Sequence, residues 1–120
     1  MAKVYLDTNY LLDITERDKN KKEQLDGHKV FTSLLSYHIL FYTYEYHVPK
    51  NEIIKHKEEF YVVDLSEKIL DQALYGPTKD LEDNIQLHSA AEGQCDFFLT
   101  NDAKLLKMKF FGKCRIQSSL

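Results

Sequence analysis

KVYLDTN, residues 3–9, runs three apolar residues straight into an acid. A strand buried on both faces of a parallel sheet reads as an unbroken apolar run. Val4, Tyr5 and Leu6 fit that description, and the run stops on Asp7. Tyr10, Leu11, Leu12 and Ile14 follow and support about two turns of helix, with Asp7 or Thr8 as the cap. The same order returns near the C-terminus. CDFFLT (95–100) reads as a second buried strand, Asn101 and Asp102 follow it, and NDAKLLKMKF opens another helix.

The rest of the chain fits between these two units. FYVVDL (60–65) reads as a strand, and CRIQ (114–117) as a last short one. Ser66 caps a helix that turns Ile69, Leu70 and Ala73 inward, and Gly76-Pro77 stops it. Asp80 starts a helix that runs to about Glu92 and ends at Gly93. Residues 30–47, VFTSLLSYHILFYTYEYH, carry Leu34, Leu35, Ile39 and Tyr42 at helical spacing, which predicts one helix. The lysine-rich stretch from Glu16 to Lys29 reads as a charged helix or a loop. Pro49 marks a turn before a short helix. Strand and helix thus alternate, which predicts an α/β fold with a mostly parallel central sheet. Functional groups in such sheets gather beyond the carboxyl ends of the strands.

At 120 residues the chain suits one domain, taken here as residues 1–120. It is 43% hydrophobic and 29% charged, enough to bury a core and stay soluble. No apolar run reaches membrane-spanning length, and the N-terminus lacks a secretory pattern. The two cysteines, Cys95 and Cys114, form no metal or redox motif and read as buried free thiols. That fits a cytoplasmic protein. The net charge is −3, so contact with nucleic acid requires a local basic patch. The five histidines have neither i, i+4 zinc spacing nor an H-E-x-x-H motif. His88, on a helix, reads as a packed residue rather than a base.

If the two strands that end in acids are parallel neighbours, Asp7 and Asp102 meet. Carboxylates that close repel unless a cation lies between them or one stays protonated. A hard divalent cation such as Mg2+ or Mn2+ meets that need. Capping of the following helices explains either acid alone, and the two roles are compatible. In TKDLEDNIQLHSAAEG (78–93), Asp80 and Asp83 lie three apart on one helix face. Asp83 is the third candidate acid. Gln86 and Ala90 continue its side, Asp80 reads as the helix cap, and Glu82 points elsewhere.

VYLDTNYLLDI, KDLEDNIQLHSAAEGQCDFFLTND and the order of elements between them resemble the PIN domain family, which includes VapC-type toxin ribonucleases. The resemblance covers nearly the whole chain. It implies a three-layer α/β/α sandwich and a Mg2+- or Mn2+-dependent endoribonuclease. Asp7, Asp83 and Asp102 match the family's acids as metal ligands and catalytic groups. Thr8, Asn9 and Thr100 are then supporting groups that bond the carboxylates or a bound water. It also implies an RNA substrate and, in a toxin–antitoxin pair, an antitoxin partner with a basic side chain reaching the acids.

One feature departs from the pattern. Such domains usually carry a further acid, mostly Glu, on the second conserved helix. Aligned on its serines, SLLSYHILFYTYEY places Ile39 there, with Glu45 about a turn and a half later. This departure favours an alternative, a catalytically degenerate PIN-like scaffold or nucleic-acid-binding protein. A phosphoryl-transfer receiver domain would need an acid pair after the first strand, where Asp7 stands alone. Lys104, Lys107, Lys109, Lys113 and Arg115, and RDKNKK (17–22), are candidate cations for an RNA backbone. Tyr10, Tyr42, Tyr44 and Tyr46 could stack bases. The many aromatics also predict a homodimer.

Overall fold

Strand β1 (Lys3–Leu6) lies inside a six-stranded sheet, between β2 (Lys29–Ser33) and β4 (Phe97–Leu99). The computed structural model describes all 120 residues. Sheet order is β3-β2-β1-β4-β6-β5, where β3 is Tyr61–Val63, β5 is Phe110–Phe111 and β6 is Cys114–Gln117. Every pairing is parallel except β5 with β6. In β1, Val4 pairs with Val30 on one side and with Phe97 on the other.

Side chains alternate across a strand, so β1 feeds two cores. Val4 and Leu6 pack with Tyr10, Leu11, Leu40, Ile53 and Leu99 on one face. Tyr5 packs with Leu87, Ala90, Phe98, Leu105 and Ile116 on the other. The Tyr5 and Phe98 rings stack with centroids 5.4 Å apart. Val4, Tyr5 and Leu6 are fully buried, each worth about 2 kcal/mol of transfer free energy, so a one-residue slip in register is costly.

The first face is covered by α1 (Thr8–Leu12), α2 (Leu34–Thr43) and α3 (Asn51–Glu59). The second is covered by α4 (Glu67–Tyr75), α5 (Leu81–Glu92) and α6 (Ala103–Met108). The α/β/α layering expected from the sequence is therefore present. No helix is long and apolar enough to cross a membrane.

Residues 30–47 are not one helix. Residues 29–33 form β2, and α2 starts only at Leu34. The apolar run is continuous across the junction, so periodicity alone does not mark the break. Ser33 marks it: its backbone is extended, and its hydroxyl accepts from the Leu35 N–H at 3.1 Å as the helix cap. The lysine-rich stretch is also more structured than a loop. Helix α1 widens into a π turn over Asp13–Arg17, and a 3-10 helix over Lys19–Leu25 anchors itself by burying Leu25.

Candidate functional site

Three segments meet at one edge of the sheet. β1 and β4 are parallel neighbours with Leu6 opposite Leu99, so Asp7 and Thr100 leave the sheet side by side. The Asp7 N–H donates to the Leu99 carbonyl at 3.2 Å. Asp7 then caps α1, its Oδ1 accepting from the Tyr10 N–H at 2.8 Å. Asp102 caps α6 in the same manner, its Oδ1 accepting from the Lys104 and Leu105 N–H groups at 2.8 and 3.3 Å. The capping role weighed for both acids is thus observed. It uses one oxygen of each carboxylate. Asp80 is the cap of α5, accepting from the Asp83 N–H at 2.9 Å, and Asp83 follows in the first turn.

Asp83 and Asp102 share a cleft of about 470 Å³, lined also by Thr78, Lys79 and Asp80 from the entry to α5 and by Lys104 and Leu105 from α6. Asp7 is not part of that wall. It lies buried beside it, close enough for its charge to interact with both acids. No basic side chain forms an ion pair with Asp7, Asp83 or Asp102. The electrostatic consequence is visible in two of them. Burial pushes the Asp7 carboxyl up to about 6, with added repulsion from Asp83 and Asp102; the Thr100 hydroxyl and the Tyr10 N–H oppose the shift. Burial likewise raises Asp83 to about 6, helped by Asp80, Asp102 and Glu82 and opposed by Lys104. Glu82 is half-buried and raised by burial and by Asp80, so it does not simply face solvent.

The acids are all oxygen donors, which suits Mg2+ or Mn2+ in kind. Their spacing is open: no three His, Cys, Asp or Glu side chains lie close enough together to hold one ion in this arrangement.

Beneath the acids lies a neutral polar network. The Thr8 hydroxyl is 2.9 Å from the Ser36 hydroxyl and accepts from the Gln86 amide at 3.0 Å. The Tyr5 hydroxyl donates to the other end of the Gln86 amide. Thr8, Ser36, Gln86 and Tyr5 are all buried. Ser36 is therefore the α2 side chain that reaches α1 next to Asp7, and it is uncharged. Ile39 is half-buried and apolar. Glu45 is exposed in the turn after α2, roughly 13 Å further along the helix axis than Ser36. Its neighbours Tyr44 and Tyr46 bond Arg17 and Glu16, at the far end of the α1 extension. Glu45 does not join the acids.

The supporting residues separate. Thr100 is fully buried; its hydroxyl accepts from the Asp102 N–H at 3.0 Å and lies near enough to Asp7 to favour its charged form. Thr8 turns into the neutral network. Asn9 is exposed and makes no side-chain hydrogen bond. Asn101, which sequence reasoning left unassigned, donates to Asp13 at 3.1 Å and so ties the Asp102 loop to α1.

The expected basic patches also change. Lys113 precedes β6, at the sheet edge opposite the acids, and the Arg115 guanidinium sits over the Phe110 ring. Of that cluster Lys104 alone lines the cleft. In RDKNKK, Arg17 and Lys21 pair with Asp13, Lys19 with Glu52 and Lys22 with Glu59.

A family model described as "PIN domain" matches residues 4–111. Among solved structures, the chain is similar to one described as VapBC2 from Rickettsia felis bound to a DNA fragment from their promoter. The identity is 14% and the TM-score 0.68, over 96% of this chain and 97% of that one. A comparison with curated proteins gives no match.

Proposed function

The chain belongs to the PIN domain family, and from that premise we propose that it is a divalent-metal-dependent endoribonuclease, the toxin of a toxin–antitoxin pair. One observation carries the reading. Asp7, Asp83 and Asp102 arrive from three separate segments at one sheet edge, and no basic side chain forms an ion pair with any of them. Carboxylates left this way make the folded state less stable until something positive binds.

In this proposal Asp7, Asp83 and Asp102 would hold Mg2+ or Mn2+ by closing from the open spacing they have without it. A divalent ion bound there would supply Lewis-acid activation of water and charge neutralisation at a phosphodiester. Thr100 holds Asp7 in place by its hydroxyl. The capping N–H groups fix the Asp7 and Asp102 carboxylates so that each keeps one oxygen free of the helix. The neutral network keeps α1, α2 and α5 in register beneath them. The substrate is RNA. A cognate antitoxin would cover the cleft with a basic side chain, the domain spans residues 1–120 and pairs as a homodimer, and Cys95 and Cys114 stay reduced in the cytoplasm.

Two experiments test it. Saturating Mn2+ should raise the melting temperature of the wild-type chain by about 10 °C, the equivalent of about 3 kcal/mol at a hundredfold excess over Kd. Asp7→Asn should abolish that rise. Oligoribonucleotides should be cut with Mn2+ and not with EDTA. The second reading, a degenerate scaffold, is favoured by the neutral Ser36 and the open spacing of the acids. It predicts no Mn2+ shift and no cleavage.

A further inference from the structure

Sixteen side chains in this sequence are basic, and few of them are placed and free to meet a substrate. Arg17, Lys19, Lys21, Lys22 and Lys68 are each committed to a carboxylate. Lys113 lies at the opposite sheet edge. Lys79 and Lys104 differ from all of these. They are exposed, they line the acid cleft from two different segments, and neither forms an ion pair despite the acids around them. Lys79 comes from the loop that enters α5, and Lys104 from the first turn of α6, so the walls carrying them are set by the same two helix starts that set Asp83 and Asp102. Lys104 is near enough to Asp83 to act on its charge.

We propose that Lys79 and Lys104 form a two-point grip on the RNA phosphodiester backbone, one cation from each of the two helix starts that line the cleft with Asp83 and Asp102. This rests on the ribonuclease reading and adds the residues that bind its substrate. The grip positions the backbone and takes no part in bond breaking. The carboxylates repel a polyanion and the two lysines attract it, so binding needs them most when the acids carry no cation.

Salt dependence reads this directly. Each phosphate contact to a single strand contributes about 0.7 to the slope of log K against log salt, so losing two contacts should lower the slope by about 1.4. The probe is fluorescein-labelled oligouridylate, bound to the full chain carrying Asp7→Asn so that it is not cut. Adding Lys79→Ala with Lys104→Ala should lower the slope by that amount and weaken binding at low salt at least tenfold. Adding Lys55→Ala with Lys57→Ala, on α3 across the sheet, should change neither. In chains with Asp7 intact, the Lys79/Lys104 variant should raise KM for RNA cleavage and leave kcat within twofold. Both lysines are exposed and unpaired, so the melting temperature should hold. An unchanged slope overturns the grip, as does an equal loss in the α3 control. Loss of polyglutamate binding with oligouridylate binding intact also overturns it, in favour of an acidic peptide. If the chain does not cleave RNA at all but the slope falls as stated, the grip survives and the nuclease reading fails.

Discussion

Asp7 and Asp13 stand six residues apart on one helical stretch, exposed by only 6% and 9%. Their surroundings are opposite. Asp13 receives the Lys21 ammonium at 2.8 Å, the Asn101 amide at 3.1 Å and the Arg17 guanidinium at 3.4 Å. Asp7 receives the Tyr10 N–H, with the Thr100 hydroxyl nearby, and the charges near it are two more acids. The fold answers the charge of Asp13 and leaves that of Asp7 unanswered. Burial alone therefore does not distinguish the two acids; the missing counter-charge does, and it is what makes Asp7 the candidate for the proposed site.

The contrast can be broken by substitution, because the two acids should respond with opposite sign. Asp13→Ala removes the acceptor shared by two cations and Asn101. It should cost about 3 kcal/mol, which lowers the melting temperature by roughly 10 °C. A melt unchanged from wild type would show that the Asp13 cluster holds nothing. Asp7→Asn keeps a capping acceptor and removes a buried, repelled charge. Its pKa of about 6 in the fold, against an ordinary 3.8, predicts that the variant gains up to about 3 kcal/mol at pH 7 without divalent ions. If denaturant unfolding shows a loss instead, Asp7 belongs with Asp13.

Acidity sharpens the same point. Asp7 and Asp83 have raised values in the folded state, so between about 6 and 3.8 the folded chain holds protons that the unfolded chain has released. Stability from these groups should rise as pH falls through 6 and level off below about 4. His56, whose pKa burial lowers, pulls the other way on acidification. The comparison is therefore the wild type minus Asp7→Asn, from paired denaturant midpoints at pH 7 and pH 5. That difference should shrink at pH 5, and a constant difference would remove the basis for the raised Asp7. The smallest effect belongs to an exposed pair: Lys22→Ala, which breaks a contact with Glu59, should change stability by about 0.5 kcal/mol or less.

Much of this arrangement is legible in local sequence. KVYL and FFL, each running into an acid ahead of a helix, mark β1 and β4, because two-sided burial demands an uninterrupted apolar run. Ser66, Asp80 and Gly93 lie where the helix termini form, because a cap is a contact within one turn. The junction at Ser33 is hidden, because β2 and the start of α2 are both apolar and only a hydroxyl separates them. The candidate acids stand out through their position after strands. Gln86 and Ser36 do not, because their partners lie 78 and 28 residues away and a buried neutral side chain has no spacing rule.

The sequence by itself determined that β1 and β4 are buried apolar strands, which acids follow them, and that strand and helix alternate, since each of these depends on neighbours within a few residues. Tertiary structure alone decided which charges are answered. Strand order and helix packing bring Lys21 and Asn101 to Asp13, hold Lys113 at the far edge, and leave Lys79 and Lys104 lining one cleft with Asp83 and Asp102. Coulomb energy depends on distance through space, and distance along the chain does not set it.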